Sequence, residues 1–164
     1  MNPLEVIKLK KAHLERLANQ SGAEGEAYLI SEMDNWVPRP KGKELKRLLA
    51  ALLNQGMKIK PTSFDAIYCP PTVKLNFEDI NALEQDLHKV VFIEIKTANQ
   101  DRVKEDFKGF FFALTENEII ASELLGERHK VVFFNKKNGN MLVTSVPEIV
   151  SKSRSMTWQV SVQL

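Results

Sequence analysis

Apolar and polar positions along the chain follow two rhythms, one of three to four residues and one of two. The first marks helices, which complete a turn every 3.6 residues. The second marks strands, whose side chains alternate between faces. Residues 4–19 place Leu4, Ile7, Leu14, Leu17 and Ala18 on one side with lysines opposite, predicting an N-terminal helix that Gly22 breaks. A second helix is predicted over 23–34, and Trp36-Val37-Pro38-Arg39-Pro40 reads as a proline-bounded connector. A third helix over 43–53 stops at Asn54-Gln55-Gly56, where glycine suits a C-terminal cap.

Downstream the rhythm shortens. Strands are predicted over 63–69, 73–75 and 89–97, with Pro70-Pro71 separating the first two and 77–88 reading as a short helix or loop. Residues 107–114 read as another strand. Thr115-Glu116-Asn117-Glu118 fits a capping box, in which threonine and the glutamate three residues on satisfy the first free amides of a helix. That helix holds Ile119, Ile120, Leu124 and Leu125 and ends at Gly126. Runs 130–135 and 141–146 flank the turn signal Asn138-Gly139 and predict a hairpin. Met156, Trp158, Val160, Val162 and Leu164 alternate with Thr157, Gln159, Ser161 and Gln163, a last strand. Together these elements predict one α/β domain: an N-terminal helix over 1–21, a core over 22–146 and a C-terminal strand extension over 147–164.

Composition narrows the class. At 164 residues, 43% hydrophobic and 27% charged, the chain suits one globular core. No apolar stretch approaches a membrane span, and Met1-Asn2-Pro3-Leu4-Glu5 lacks the basic and apolar regions of a secretory signal. A lone cysteine, Cys69, makes no internal disulfide and fits a reducing cytoplasm; ending an apolar strand, it reads as a core residue. Cys69 and the scattered His13, His88 and His129 offer no zinc-ligand spacing, so any metal should be hard and oxygen-bound. The net charge of +2 is unevenly spread: residues 1–60 hold 11 Lys/Arg against 7 Asp/Glu, and residues 61–164 hold 12 against 14. Arg39, Lys41, Lys43, Lys46 and Arg47 form a basic run that reads equally as a set of phosphate contacts or as a solvated helix start.

The chemistry centres on Glu94-Ile95-Lys96, inside the apolar run Val90-Val91-Phe92-Ile93-Glu94-Ile95-Lys96-Thr97. Alternation puts Val90, Phe92, Glu94 and Lys96 on one face. A carboxylate and an ammonium at the end of a buried strand are penalised by desolvation unless something compensates. A divalent cation on the carboxylate, with the lysine beside a metal-bound water, is one compensation; a plain Glu–Lys pair on a strand is the other. If 63–69 pairs antiparallel with 89–97, Asp65 lies near Glu94. Mg²⁺ would relieve the repulsion of the two acids, with a backbone carbonyl such as that of Ile95 as a further ligand. Otherwise Asp65 caps a turn. Glu26 shares a helix face with Leu29, Ile30 and Met33, so it is either a partner of the metal or its waters, or the rim of an apolar stripe.

Helical Glu26, strand-start Asp65 and Glu94-Ile95-Lys96, followed by strand, helix and strand, resemble the PD-(D/E)xK (restriction-endonuclease-like) nuclease superfamily. Phe64 stands where the superfamily's name has proline. The chain is more closely similar to the NO VEIN C-terminal domain family. That likeness lies in Gly22-Ala23-Glu24-Gly25-Glu26, Phe64-Asp65-Ala66-Ile67, Ile93-Glu94-Ile95-Lys96-Thr97 and Phe111-Phe112-Ala113-Leu114-Thr115-Glu116-Asn117-Glu118, and covers about residues 22–146.

The resemblance implies a mixed β-sheet flanked by helices (an αβββαβ core), here with an N-terminal helical extension. It also implies Mg²⁺-dependent hydrolysis of phosphodiester bonds, with Mn²⁺ a substitute. Asp65, Glu94 and the Ile95 carbonyl would bind the metal, Lys96 would position or help deprotonate the attacking water, and Glu26 would bind a second metal or a metal-bound water. Helix capping accounts for Glu118 equally well, so Glu118 and Asn117 stay outside this site. The expected partner is DNA, with a homodimer or a partner protein to complete double-strand cleavage. Two other classes compete: a non-catalytic nucleic-acid-binding or assembly module keeping the fold, and an unrelated α/β binding protein in which Glu94 and Lys96 merely pair.

Overall fold

The computed structural model describes residues 22–157 and 162–164. The helix expected over 1–21 lies outside them, as does the centre of the strand expected over 156–164. The described ends of that last segment, 156–157 and 162–164, are in neither helix nor strand. No helix among the described residues is long and apolar enough to cross a membrane.

The elements run α1 (residues 22–32), β1 (Trp36–Pro38), α2 (Gly42–Asn54), β2 (Ala66–Tyr68), α3 (Ile80–Asp86), β3 (Val91–Ala98), α4 (Glu116–Leu125), β4 (His129–Asn135), β5 (Met141–Thr144) and α5 (Val146–Lys152). The five strands among the described residues form one sheet in the order β1-β2-β3-β4-β5. The β3–β4 pair is parallel and the other three are antiparallel. With α2 and α3 set aside as insertions, the first part reads helix, three strands, crossover helix, strand.

Strand alternation sorts the core into two layers. Ile93 and Ile95 face α1, packing with Leu29, Ala66, Val132 and Phe134. Phe92 faces the other way, with Ile67 beside it, under Leu48 and Leu52 of α2, Leu83 of α3, and Ala121 and Leu125 of α4. Glu94 and Lys96 share that second face, roofed by α4. The central strand is thus buried on both sides, as its apolar run predicts.

Several expected elements change. The connector at 36–40 contains an edge strand, β1; proline has no N–H to give a ladder, and an edge is where a strand tolerates it. Residues 73–75 form no strand: the Val73 N–H goes to Pro70 O at 2.8 Å, closing a turn, while Val73 and Leu75 pack against the core. Nor is 107–114 a strand. Phe107 and Gly109 adopt positive φ (58° and 83°), and Phe107, Phe110 and Phe112 converge on Phe133 with ring centroids 5.4, 5.3 and 4.8 Å away. Three rings meeting one ring cannot also alternate about a strand. Finally, the strand expected to reach Val146 stops at Thr144, because Ser145 caps α5 by accepting the Glu148 N–H.

Candidate active site

The site forms where β2 ends and β3 continues. Asp65 N donates to Ile93 O at 2.7 Å, and Arg39 N donates to Asp65 O at 2.9 Å, extending both ladders by one rung. The chain enters β2 from the turn Pro61–Ser63, so among the described residues no strand flanks β3 on that side past Asp65. The Asp65 carboxylate fills the next rung: its Oδ2 accepts the Ile95 N–H at 2.8 Å. Since Ile93 points its carbonyl toward β2, Ile95, two residues on, directs its own carbonyl to the same edge. Continuing the register from Ala66↔Ile93 sets Asp65 opposite Glu94, the pairing the sequence suggested.

Above this rung lies a buried ionic cluster. Lys96 Nζ sits 2.9 Å from Glu94 Oε1 and 2.8 Å from Glu118 Oε1. Glu118 Oε2 accepts the Thr115 N–H at 2.9 Å and the Thr115 hydroxyl accepts from Glu118 N, so the capping box forms. One glutamate therefore caps α4 and holds the lysine. Glu94 Oε2 is buried and has no hydrogen-bond partner among the described residues.

Glu26 arrives from the opposite layer. Its helix packs on the Ile93/Ile95 face, and the half-buried Glu26 carboxylate makes no hydrogen bond among the described residues. It feels the charges of Asp65, Arg39 and Lys96. Four acids (Glu26, Asp65, Glu94 and Glu118) thus lie near two cations, Lys96 and Arg39. Burial, reinforced by Asp65, pushes Glu94 up to about 9 and Glu26 up to about 7. Burial also raises Asp65, against the Ile95 hydrogen bond that lowers it. For Lys96, burial pulls the ammonium down, but Glu94 and Glu118 outweigh it, so the amine is held above its ordinary value.

The turn leading into Asp65 is fixed from three sides. Arg39 Nη1 donates to Pro61 O and Phe64 O, both at 2.8 Å, and stands 4.0 Å from Asp65 Oδ1. Asn117 Nδ2 donates to Thr62 Oγ1 at 3.1 Å. His129, fully buried at the start of β4, donates from Nε2 to Ser63 O at 3.0 Å. Burial lowers its pKa, and its Nδ1 has no hydrogen-bond partner among the described residues.

Of the residues read from sequence, the fold brings Asp65, Glu94, Ile95 and Lys96 together and sets Glu26 within electrostatic reach. The basic run separates. Arg39 joins the site, Arg47 leans on Phe77 O at 3.5 Å, and Lys41, Lys43 and Lys46 are exposed on and just before α2. Sequence reasoning passed over two neighbours of Lys96 and Asp65. Glu118 was absorbed by its cap, and His129 carried no pattern at all. Among the described residues, no three acids, histidines or cysteines group closely enough to cage a metal by themselves. Two carboxylates and a carbonyl suit Mg²⁺, which keeps several waters and relies on substrate phosphate; Glu94 Oε2, buried with no hydrogen-bond partner among the described residues, fits such a donor set. Comparison with family models, curated proteins and solved structures finds no match to this chain.

Proposed function

We propose that the chain is a Mg²⁺-dependent nuclease of restriction-endonuclease-like architecture, related to the NO VEIN C-terminal domain family, acting on DNA. One observation carries this reading: a buried glutamate oxygen with no hydrogen-bond partner among the described residues, on a strand whose neighbouring rung is closed by a second carboxylate and whose next inward side chain is a lysine. The order helix, two antiparallel pairings, crossover helix and parallel strand supports the architecture.

Asp65 and Glu94 would hold the cation with the Ile95 carbonyl. When bound, it supplies positive charge that lowers the pKa of water and neutralises charge gathering on the phosphate. Lys96, kept protonated by Glu118, orients the attacking water and adds charge beside it rather than accepting its proton. Arg39, with its Nη1 fixed on the Asp65 turn, adds a second positive charge at the same edge. Glu26 would hold a second cation or a water at the rim. Cutting both strands of a duplex with one site per chain would use a homodimer.

A second reading, a nucleic-acid-binding module without turnover, draws on Lys96 lying between Glu94 and Glu118 in a closed pairing. Incubating purified protein with duplex DNA, single-stranded DNA and RNA in Mg²⁺ or Mn²⁺ separates the two. The nuclease reading expects metal-dependent cleavage of DNA that falls at least a hundredfold in Glu94→Gln and Lys96→Gln. Full activity in both variants, or no cleavage of any substrate, would remove it.

A further inference from the structure

We propose that Gly25 is a positioning residue: by letting α1 lie directly on Thr97 of β3, it sets where Glu26 meets the Asp65–Lys96 cluster. The inference rests on the nuclease reading and assigns a role that the four acids and the lysine do not fill.

Two glycines, one turn apart, face the same threonine. A Cβ at Gly22 would meet Thr97 Oγ1 at 3.7 Å, an ordinary contact. A Cβ at Gly25 would meet Thr97 Cγ2 at 2.9 Å and Thr97 Cβ at 3.5 Å, and the first of these is closer than real Cβ atoms come. Thr97 yields poorly, because its Cγ2 sits one bond from Cβ and is not the far end of a flexible chain. It is β-branched, stiff at χ1, and lies mid-sheet in register with Phe134 of β4. Alanine at 25 therefore moves the helix, not the strand.

That helix is pinned elsewhere. Leu29 is buried between the layers, Tyr28 stacks on Phe134 at 6.1 Å, and Glu24 pairs with Lys136 at 3.2 Å. Relief at position 25 therefore comes as a local lift of the turn that carries Glu26. Because the Glu26 carboxylate has no hydrogen bond among the described residues to hold it in place, the backbone beneath it fixes where the carboxylate sits. A shift of a fraction of an ångström at a reacting centre is enough to cost rate, since a 1 Å misplacement costs on the order of a hundredfold.

The test is steady-state cleavage in Mg²⁺ by wild type, Gly22→Ala, Gly25→Ala, Thr97→Ser and the double variant Gly25→Ala/Thr97→Ser, with thermal unfolding of each. Serine at 97 removes only the Cγ2 methyl that a Cβ at 25 would strike. The expected result is a fall in kcat of about tenfold or more for Gly25→Ala with KM for DNA nearly unchanged. Gly22→Ala and Thr97→Ser stay close to wild type, and the double variant returns to within threefold of it. Unimpaired kcat in Gly25→Ala, or an equal loss in Gly22→Ala, overturns the proposal. If Gly25→Ala alone fails to fold, the double variant decides: recovery of both fold and kcat sustains the proposal, while a double variant that stays unfolded, or folds and stays slow, overturns it. A wild type with no activity removes the nuclease reading and this inference with it; an active wild type beside an unimpaired Gly25→Ala removes this inference alone.

Discussion

Glu94 is an acid that its surroundings treat as a neutral group. Burial, Asp65 and Glu118 all favour the protonated carboxyl, and Lys96 only partly offsets them. Glutamine keeps the size and polarity of that protonated form. Glu94→Gln should therefore unfold in more urea than wild type at pH 8 without divalent cation, by about 1–2 kcal/mol after discounting for relaxation of the cluster, while losing cleavage. A variant that is destabilised instead would mean that Lys96 needs the Glu94 charge more than burial opposes it. At this scale the sequence was informative wherever a side chain's position followed from strand alternation: Asp65, Glu94 and Lys96 sit where period two puts them. It was uninformative where position depended on which helix turn faces which strand. Glu118 satisfied every local expectation of a capping residue, and nothing in its neighbours disclosed the 2.8 Å contact with Lys96. Arg39 reads in the sequence as one of five cations that serve equally as phosphate contacts or as a solvated helix start, and the fold sets its Nη1 on two carbonyls.

At the scale of elements, the α4 cap joins local helix chemistry to the ionic cluster. Thr115→Ala removes the acceptor for the Glu118 N–H and should lower stability by about 1 kcal/mol, measured by urea unfolding. It should also loosen the glutamate that holds Lys96, so cleavage falls several-fold at saturating DNA, short of the loss in Lys96→Gln. Unchanged kcat would mean that Glu118 is placed by its burial alone. Long, periodic elements were legible: β3, α2, α4 and the β4–β5 hairpin all follow from apolar spacing and turn residues. The elements that were misread fail for identifiable reasons. β1 is three residues long and includes Pro38, too short to show alternation. The aromatic run at 107–114 reads as strand by composition, but convergence on Phe133 decides its path. α5 was hidden because Val146 extends the apolar pattern of β5, and only the Ser145 cap separates them.

For the whole molecule, the raised acids set a pH dependence. A carboxyl whose folded pKa lies above its unfolded one binds more protons in the folded state, so it supports stability at low pH and the support fades as pH rises through the folded value. Glu26 completes that change near 7 and Glu94 near 9, against an ordinary 4.5. Above pH 7, Glu94 dominates the slope. Cation-free protein should then lose stability at up to about 1.4 kcal/mol per pH unit between pH 7 and 9. Saturating Mn²⁺ should flatten that slope and release protons on binding, read by urea unfolding and by calorimetry in buffers of different ionisation enthalpy. A slope indifferent to Mn²⁺ would count against the proposed ligands.

The rung that Asp65 completes has its own consequence. One of its oxygens closes the margin of β3 at the buried Ile95, so on the nuclease reading a lineage that lost hydrolysis would still be under pressure to retain an acceptor there. Asparagine would meet that need and alanine would not. On the nuclease reading, an oxygen at 65 among natural variants therefore testifies to architecture, and position 94, whose second oxygen has no hydrogen-bond partner among the described residues, is the one expected to distinguish a cleaving descendant from one that has lost cleavage.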